Sequence, residues 1–150
     1  LSVKPEEVPT AVRKLKEELS EITARLKNKT LELYQLRKDS LAANASRDND
    51  GRRIVLVSEE DCTAKDAKLF AQVLTTDEEK LTAGIFYRVG ERINYIFMSS
   101  EGGRDCKLLC QTVNQLLSGK GGGNAAFAQG SAACCSDWRA QIEKLGNQLK

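Results

Sequence analysis

The sequence predicts an α/β (α+β) domain with the order strand, helix, hairpin, helix, loop, helix, preceded by a long coiled-coil helix. Two observations favour this class. Apolar residues recur with heptad spacing from residue 8 to residue 36, and charged residues fill the positions between them. After residue 53, short apolar runs alternate with amphipathic segments. We therefore expect a helical coiled-coil arm over residues 1–44 and a globular domain over residues 51–150.

The arm is expected to be helical from near residue 9 to Ala43, which gives a length of about 50 Å at 1.5 Å per residue. Pro5 and Pro9 suit the entry to a helix, and Lys29 takes one missed position of the stripe. Such a narrow stripe predicts a coiled coil with a second copy of the chain or with another segment; a helix lying on its own domain is the alternative. We refer to the whole stripe as the seam: Val8, Val12, Leu15, Leu19, Ile22, Leu26, Leu33 and Leu36. The residues expected to form the dimer interface are Val12, Leu15, Leu19, Ile22, Leu26 and Leu33.

The first half of the domain is expected to begin after residues 44–51, a polar segment that breaks the helix and ends in glycine. Residues 53–58 (RIVLVS) contain four consecutive apolar residues, as in a buried central strand. Residues 63–74 form an amphipathic helix. Two strands over residues 81–99 form a hairpin, because Gly90 stands first in a two-residue turn, which is typical of type II′.

Two more helices are expected in the second half of the domain. The first runs from about Gly103 to Leu117, and the second follows Ser136 as its N-cap. The apolar face of the first comprises Cys106, Leu109, Cys110, Val113, Leu116 and Leu117. The apolar face of the second comprises Trp138, Ile142, Leu145 and Leu149.

Composition excludes several classes of function. The 150 residues include no histidine and carry a net charge of +2. Without imidazole, the chain holds no Ser-His-Asp or Cys-His nucleophile and no histidine-bound metal. The small net charge means that any nucleic-acid binding must come from a local patch. No apolar run reaches the roughly 18–20 residues that cross a bilayer, so we expect no membrane contact.

Cysteine usage indicates the redox environment. Five cysteines are an odd number, and the first residues lack the pattern of a signal peptide. We therefore expect a cytoplasmic, reducing location with free thiols. A four-thiolate zinc site is the weaker alternative because C-x-x-C pairs are missing, so no cofactor is expected in this chain. The absence of an initial Met predicts that the chain is a piece of a longer protein.

The most unusual segment is residues 119–131, GKGGGNAAFAQGS, which contains five glycines. We expect a loop between two helices, with consecutive free N–H groups beside Lys120 that could cradle a phosphate. The run AFAQG could be a short strand, and a purely structural loop is the alternative. The segment is neither a Walker A loop nor a dinucleotide fingerprint.

This segment resembles the G-x-GGG-x-x-x-x-AQG signature of the DHH-associated domain. That domain closes alanyl-tRNA synthetases and the longer alanyl-tRNA editing proteins, and a relative follows the catalytic domain of DHH phosphoesterases. The predicted order of elements agrees over the whole chain. Asn124 stands where synthetases often carry arginine and phosphoesterases histidine, so the phosphoesterase branch is disfavoured. A longer-type editing protein fits best.

The resemblance implies a C-terminal module that binds tRNA, forms a homodimer through the arm, or does both. Hydrolysis of mischarged Ser- or Gly-tRNA(Ala) would take place in an upstream zinc-bearing domain, since this chain lacks histidine. A synthetase C-terminal domain and the substrate-binding domain of a DHH phosphoesterase stay as alternatives. The expected contacts to tRNA(Ala) or another RNA are Lys120, Gly121, Gly122, Gly123, Asn124, Gln129, Gly130, Arg104 and Lys107.

An enzyme acting within the chain itself is the remaining alternative. Carboxylates cluster at residues 59–61 and 77–79 and could in principle bind magnesium. Both clusters fall at expected turns, where acidic residues favour helix starts and solvent. We therefore expect no catalytic residue in this chain.

Overall fold

The computed structural model describes residues 8–149, so Pro5 lies outside the described residues. The chain divides into two compact units, residues 1–33 and residues 34–150. The elements are α1 (Val8–Ala43), β1 (Ser46–Arg47), β2 (Arg53–Glu59), α2 (Ala64–Thr75), β3 (Leu81–Val89), β4 (Arg92–Ser99), α3 (Cys106–Leu117), β5 (Lys120–Gly123), β6 (Phe127–Ala133) and α4 (Trp138–Gln148). The expected class and the long N-terminal helix are confirmed.

The six strands form one sheet in the order β1-β2-β3-β4-β6-β5. Only β2 and β3 pair in parallel, and the other neighbours are antiparallel. The prediction that residues 53–58 form a central strand is wrong, since β2 has only the two-residue β1 outside it. Side chains on both faces of β2 are nevertheless buried, at Ile54 and at Val55. An apolar run therefore indicated burial on two faces and not a central position.

The two faces of the sheet carry separate layers of the core. On one face, α3 and α4 pack on Tyr95 and Phe97, which are fully buried. On the other face, α2 covers β3 and β4 with Phe70 and Leu74, also fully buried. We call the first the α3 face and the second the α2 face.

The last turns of α1, from Tyr34 on, belong to the second unit. The ring of Tyr34 stacks on Phe70 with centroids 4.2 Å apart, and burial raises the pKa of the Tyr34 hydroxyl to about 12. Arg37 lies 4.7 Å from the centre of the Phe70 ring and pairs with Glu59 at 2.6 Å. These contacts hold the end of α1 on α2.

Local signals placed most helix ends correctly. Thr63 caps α2 by accepting a hydrogen bond from Asp66 N, and Gly90 turns the β3–β4 hairpin with φ of +58°. The start of α3 differs from the prediction. Asp105 caps α3, which therefore begins at Cys106 and not near Gly103, because its carboxylate accepts hydrogen bonds from two amides of the first turn.

The N-cap of α4 and the end of the apolar face of α3 also differ from the prediction. Asp137, and not Ser136, is the N-cap residue of α4. Leu116 was expected to be buried with the rest of the α3 stripe, but it is 41% exposed. It lies in the last turn of α3, just before the chain leaves the helix at Ser118.

Candidate nucleic-acid interface

The glycine-rich segment folds as a hairpin of β5 and β6, so the prediction of a loop is wrong for residues 120–123. The AFAQG strand is confirmed and extends to Ala133. Asn124 closes the turn: its side-chain oxygen accepts hydrogen bonds from the amides of Ala126 and Phe127, each at 2.9 Å. The amide group of Asn124 thus stabilises the turn. Since the ladder with β6 uses amides of β5, the expected run of consecutive free N–H groups is also wrong.

Close packing explains four of the five glycines. A Cβ atom added at Gly119 would lie 2.4 Å from the Tyr95 hydroxyl oxygen. A Cβ atom added at Gly121 would lie 2.3 Å from the carbonyl oxygen of Gln129, and one at Gly123 would lie 2.2 Å from that of Phe127. At Gly130 the added atom would lie 2.4 Å from the Tyr95 ring. Gly122 is different, because nothing lies within 4 Å of an added Cβ and its φ is not positive. Neither packing nor backbone conformation requires glycine there.

Hydrogen bonds to α3 hold β5 at the edge of the sheet. Asn114 donates its side-chain N–H to the carbonyl of Gly121 at 3.2 Å. The Tyr95 hydroxyl donates in turn to the side-chain oxygen of Asn114. Burial raises the pKa of Tyr95 to about 12, so this donor keeps its proton at neutral pH. The edge strand is therefore fixed in place before any ligand arrives.

A row of polar side chains crosses four adjacent strands on the α2 face. The ladders pair Tyr87 with Asn94, Asn94 with Ser131, and Ser131 with Lys120. Directly paired residues share one face of a sheet, so these four side chains lie side by side. They line a shallow groove of about 330 Å³, together with Gln129 and the neighbouring backbone. We call this surface the polar row.

Three cations lie on or near this face, and none of the residues that line the groove is acidic. Glu59, which stands beside Tyr87 in the β2–β3 ladder, pairs with Arg37. Lys120 is exposed at one end of the row. Arg92 donates a hydrogen bond to the Ser131 hydroxyl at 2.7 Å. Four positions before Ser131 on β6, the Lys68 amine lies 5.4 Å from the centre of the Phe127 ring. The surface is thus built to attract an anionic, hydrogen-bonding ligand.

Arg104 and Lys107, also expected to contact RNA, lie apart from the polar row. Arg104 donates to the carbonyl of Leu149 and lies 3.6 Å from the Asp48 carboxylate, with only 12% of its side chain exposed. It therefore stabilises the packing of the chain. Lys107 is exposed on the first turn of α3, on the opposite face of the sheet from Lys120. Gly121, Gly122, Gln129 and Gly130 do lie with Lys120 on β5 and β6.

All eight seam residues of α1 are exposed, from 43% at Val12 to 77% at Leu36. Their side chains keep the heptad spacing on a continuous helix. Over residues 8–36, these side chains therefore form an exposed apolar stripe.

Among the described residues, three of the six clustered carboxylates form ion pairs, and Glu60 does so with Arg139. Glu59 pairs with Arg37, and Glu78 pairs with Arg53 at 2.7 Å. Over residues 8–149, no group of three potential metal ligands comes together. All five cysteines are free thiols, as expected. In the same range, none of the helices combines the length and the apolar character that crossing a membrane requires.

No protein-family model matches the sequence, and no curated protein matches it. Among solved structures, the chain is similar to the C-Ala domain of alanyl-tRNA synthetase from Aquifex aeolicus. The TM-score is 0.57 at 23% identity, and the match covers 65% of this chain and 91% of that domain. At this identity the similarity shows a shared fold. It agrees with the synthetase-related part of the resemblance, while the DHH-associated family stays a prediction.

Two further solved structures are similar to the chain at lower TM-scores. One is a protein from Helicobacter pylori G27, with a TM-score of 0.43 and 18% identity over 80% of this chain and 32% of that one. The other is a pGpG-specific phosphodiesterase from Vibrio cholerae, with a TM-score of 0.40 and 10% identity over 99% of this chain and 52% of that one.

Proposed function

We propose that this chain is an RNA-engaging module of a protein that acts on alanyl-tRNA. The polar row is the observation that carries the proposal. It places Lys120 and Arg92 on an open sheet face, and polar groups of Asn94 and Ser131 lie between them. None of the residues that line the groove is acidic. Phosphate oxygens of an RNA backbone match such a surface, because charged and neutral donors both bind them.

The fold of β5 supports the same proposal. A strand of glycines has no side chains above its surface, so a backbone can approach it closely. Gly122 faces the groove side of the sheet opposite Gln129, where no packing reason for glycine exists. The contribution of Gly122 would therefore be room for the ligand, while Gly121, Gly123 and Gly130 serve the fold.

The parent protein that we propose is a longer-type alanyl-tRNA editing protein, with a synthetase as the alternative. The fold similarity to the C-Ala domain of a synthetase supports an alanyl-tRNA context and leaves both open. In either parent, this chain would hold the tRNA and the reaction would take place elsewhere, since a chain without histidine lacks the ligands of a histidine-bound zinc. We propose no catalytic residue and no cofactor for the chain itself.

The direct test is binding of the purified chain to alanine-accepting tRNA and to an unrelated tRNA at 50 and 200 mM salt. We expect salt-dependent binding, since the contacts are to phosphates. Lys120→Ala should weaken it, whereas Lys107→Ala removes the same charge from the opposite face and serves as the matched control. Equal affinity of both variants and the unaltered chain would contradict the proposal. Tighter binding of the alanine-accepting tRNA would support the alanyl-tRNA context.

A second proposed function is dimerisation through the seam. Eight exposed large apolar residues at heptad spacing favour it, because apolar stripes of this kind are covered by a partner helix in coiled coils. A homodimer would also present two polar rows to one RNA. The two functions do not exclude each other.

A further inference from the structure

A second groove, of about 420 Å³, runs along the outer edge of β2. Ile54, Leu56 and Ser58 form its floor. Its walls are the last turn of α1, at Leu41, and one side of α4, at Ile142. All of these residues belong to the second compact unit. The groove lies at the opposite edge of the sheet from β5, so it is separate from the polar row.

The backbone of β2 presents unpaired groups to this groove. The amide of Arg53 donates to the carbonyl of Lys80 at 2.7 Å. In a parallel ladder, every second residue of a strand bonds to the same neighbouring strand, so this bond shows which residues of β2 face β3. The backbone bonds to β3 therefore come from residues 53, 55, 57 and 59. The backbone N–H and C=O groups of the residues between them point away from β3, toward the groove. Since β1 pairs only with Arg53 and Ile54, the outward groups of Leu56 and Ser58 have no strand partner within residues 8–149. An edge of this kind is a template for pairing with another chain.

Gly146 widens the groove. It lies inside α4, where glycine costs about 1 kcal/mol relative to alanine. A Cβ at this position would lie 3.6 Å from Leu56 Cδ1, an ordinary contact, and the φ angle is not positive. Neither packing nor backbone conformation explains glycine in this helix. Its effect is to leave space between α4 and the edge of β2.

Arg139 and Glu143 of α4 are the charged residues that line the groove. Arg139 at the rim pairs with Glu60 at 2.8 Å. Glu143 also lines the groove, and among the described residues it has no ion-pair partner. An occupant with a basic side chain at this point would be attracted and oriented by Glu143.

We propose that this groove binds an extended peptide of about four residues, which adds to β2 in line with β1 and places a Lys or Arg beside Glu143. Only an extended chain supplies donors and acceptors at the roughly 3.3 Å spacing of the groups on β2. In strand addition, the backbone bonds provide affinity, and alternate side chains provide specificity. Here the alternate side chains meet Ile142 and Gly146 on one side and Leu41 on the other.

The test selects binders to the full chain from a phage-displayed library of random heptapeptides and measures their affinities by calorimetry. Ser58→Pro removes the outward N–H and leaves the bonds of β2 to β3 intact. A sheet accepts proline at such an edge position, because the missing N–H is not part of the ladder. Ser58→Ala keeps the N–H and is the matched control. We expect about a tenfold loss of affinity for Ser58→Pro, as for a lost hydrogen bond, and a change within twofold for Ser58→Ala. Glu143→Gln should weaken binding of the selected basic peptides, most strongly at low salt.

Two controls make the result decisive. If the two Ser58 variants have equal melting temperatures, the loss of affinity in Ser58→Pro is an effect on binding and not on folding. If Ser58→Pro unfolds, Gly146→Val is used as the blocking variant instead, because its side chain fills the groove from α4. Selection of no basic extended sequence, or equal affinity for the blocking and control variants, overturns the proposal. It is also overturned if Ser58→Pro lowers the mass of the peptide-free chain in solution, because the edge is then occupied by a second copy.

Discussion

The ring of Tyr95 fills the space that a side chain on Gly130 would need: a Cβ atom there would lie 2.4 Å from Tyr95 Cε2. Tyr95 is fully buried and also hydrogen-bonds to Asn114, so the ring has no room to move aside. Gly130 therefore belongs to the core, although it lies in the segment that we propose to bind RNA.

Gly130→Ala should lower the free energy of unfolding by about 1–3 kcal/mol, the usual cost of overpacking a core. Gly122→Ala, in the same hairpin, should change it by less than about 0.5 kcal/mol, because the added methyl group meets open space. Urea denaturation of the two variants checks both expectations. A large loss for Gly122→Ala would show that this glycine, too, is structural.

RNA binding should distinguish the residues of the polar row from Arg104. Lys120→Ala should reduce the slope of log affinity against log salt by about 1, as for one lost phosphate contact. Arg104→Ala should instead lower the free energy of unfolding, since the side chain pairs with Asp48 and bonds to Leu149. Titrations over a salt series, paired with thermal melts, measure both effects. An unchanged salt slope for Lys120→Ala removes this lysine from the interface.

Short-range signals predicted much of the fold, and long-range pairings were the part that the sequence did not reveal. The β3–β4 hairpin was predicted to the residue because Gly90 fixes both the turn and the register. In contrast, β5 is made of glycines, which have low strand propensity, and only its partner β6 makes it a strand. The two-residue β1 is too short to show any periodicity.

The residues of the candidate site that are close together in sequence were predicted, and those brought together by strand pairing were not. Lys120, Gly122 and Gln129 were predicted because the motif holds them together in sequence. Arg92 and Asn94 were missed, since they join the site only through the pairing of β4 with β6, which skips more than twenty residues of chain. The β3–β4 register placed Tyr87 opposite Asn94, but no local pattern showed which strand would lie beyond.

The seam predicts an oligomer, and charged side chains introduced into the seam should dissociate it. Leu19→Glu together with Ile22→Glu places two carboxylates in a stripe whose side chains are 65% and 61% exposed in the single chain. Because these side chains are already exposed, the monomer should keep its fold, while a coiled coil would lose its contacts. Light scattering should therefore show half the mass of the unaltered chain, with an unchanged far-UV spectrum. The same mass for the double variant and the unaltered chain would exclude the seam as the interface.

Stability should fall at alkaline pH because of the buried thiols. Burial raises the pKa of the Cys106 thiol from its usual value of 9.0 to about 12. Below pH 9 the thiol is protonated in both the folded and the unfolded chain, so its pKa shift has no effect on stability. Between pH 9 and pH 12 the unfolded chain loses this proton and the folded chain keeps it, so the free energy of unfolding decreases by up to about 1.4 kcal/mol per pH unit.

Cys106→Ala should make this decline shallower, in urea denaturation at pH 8, 9, 10 and 11. Cys134→Ala is the control, since Cys134 is only half-buried; equal slopes for the two variants would contradict the assignment to Cys106.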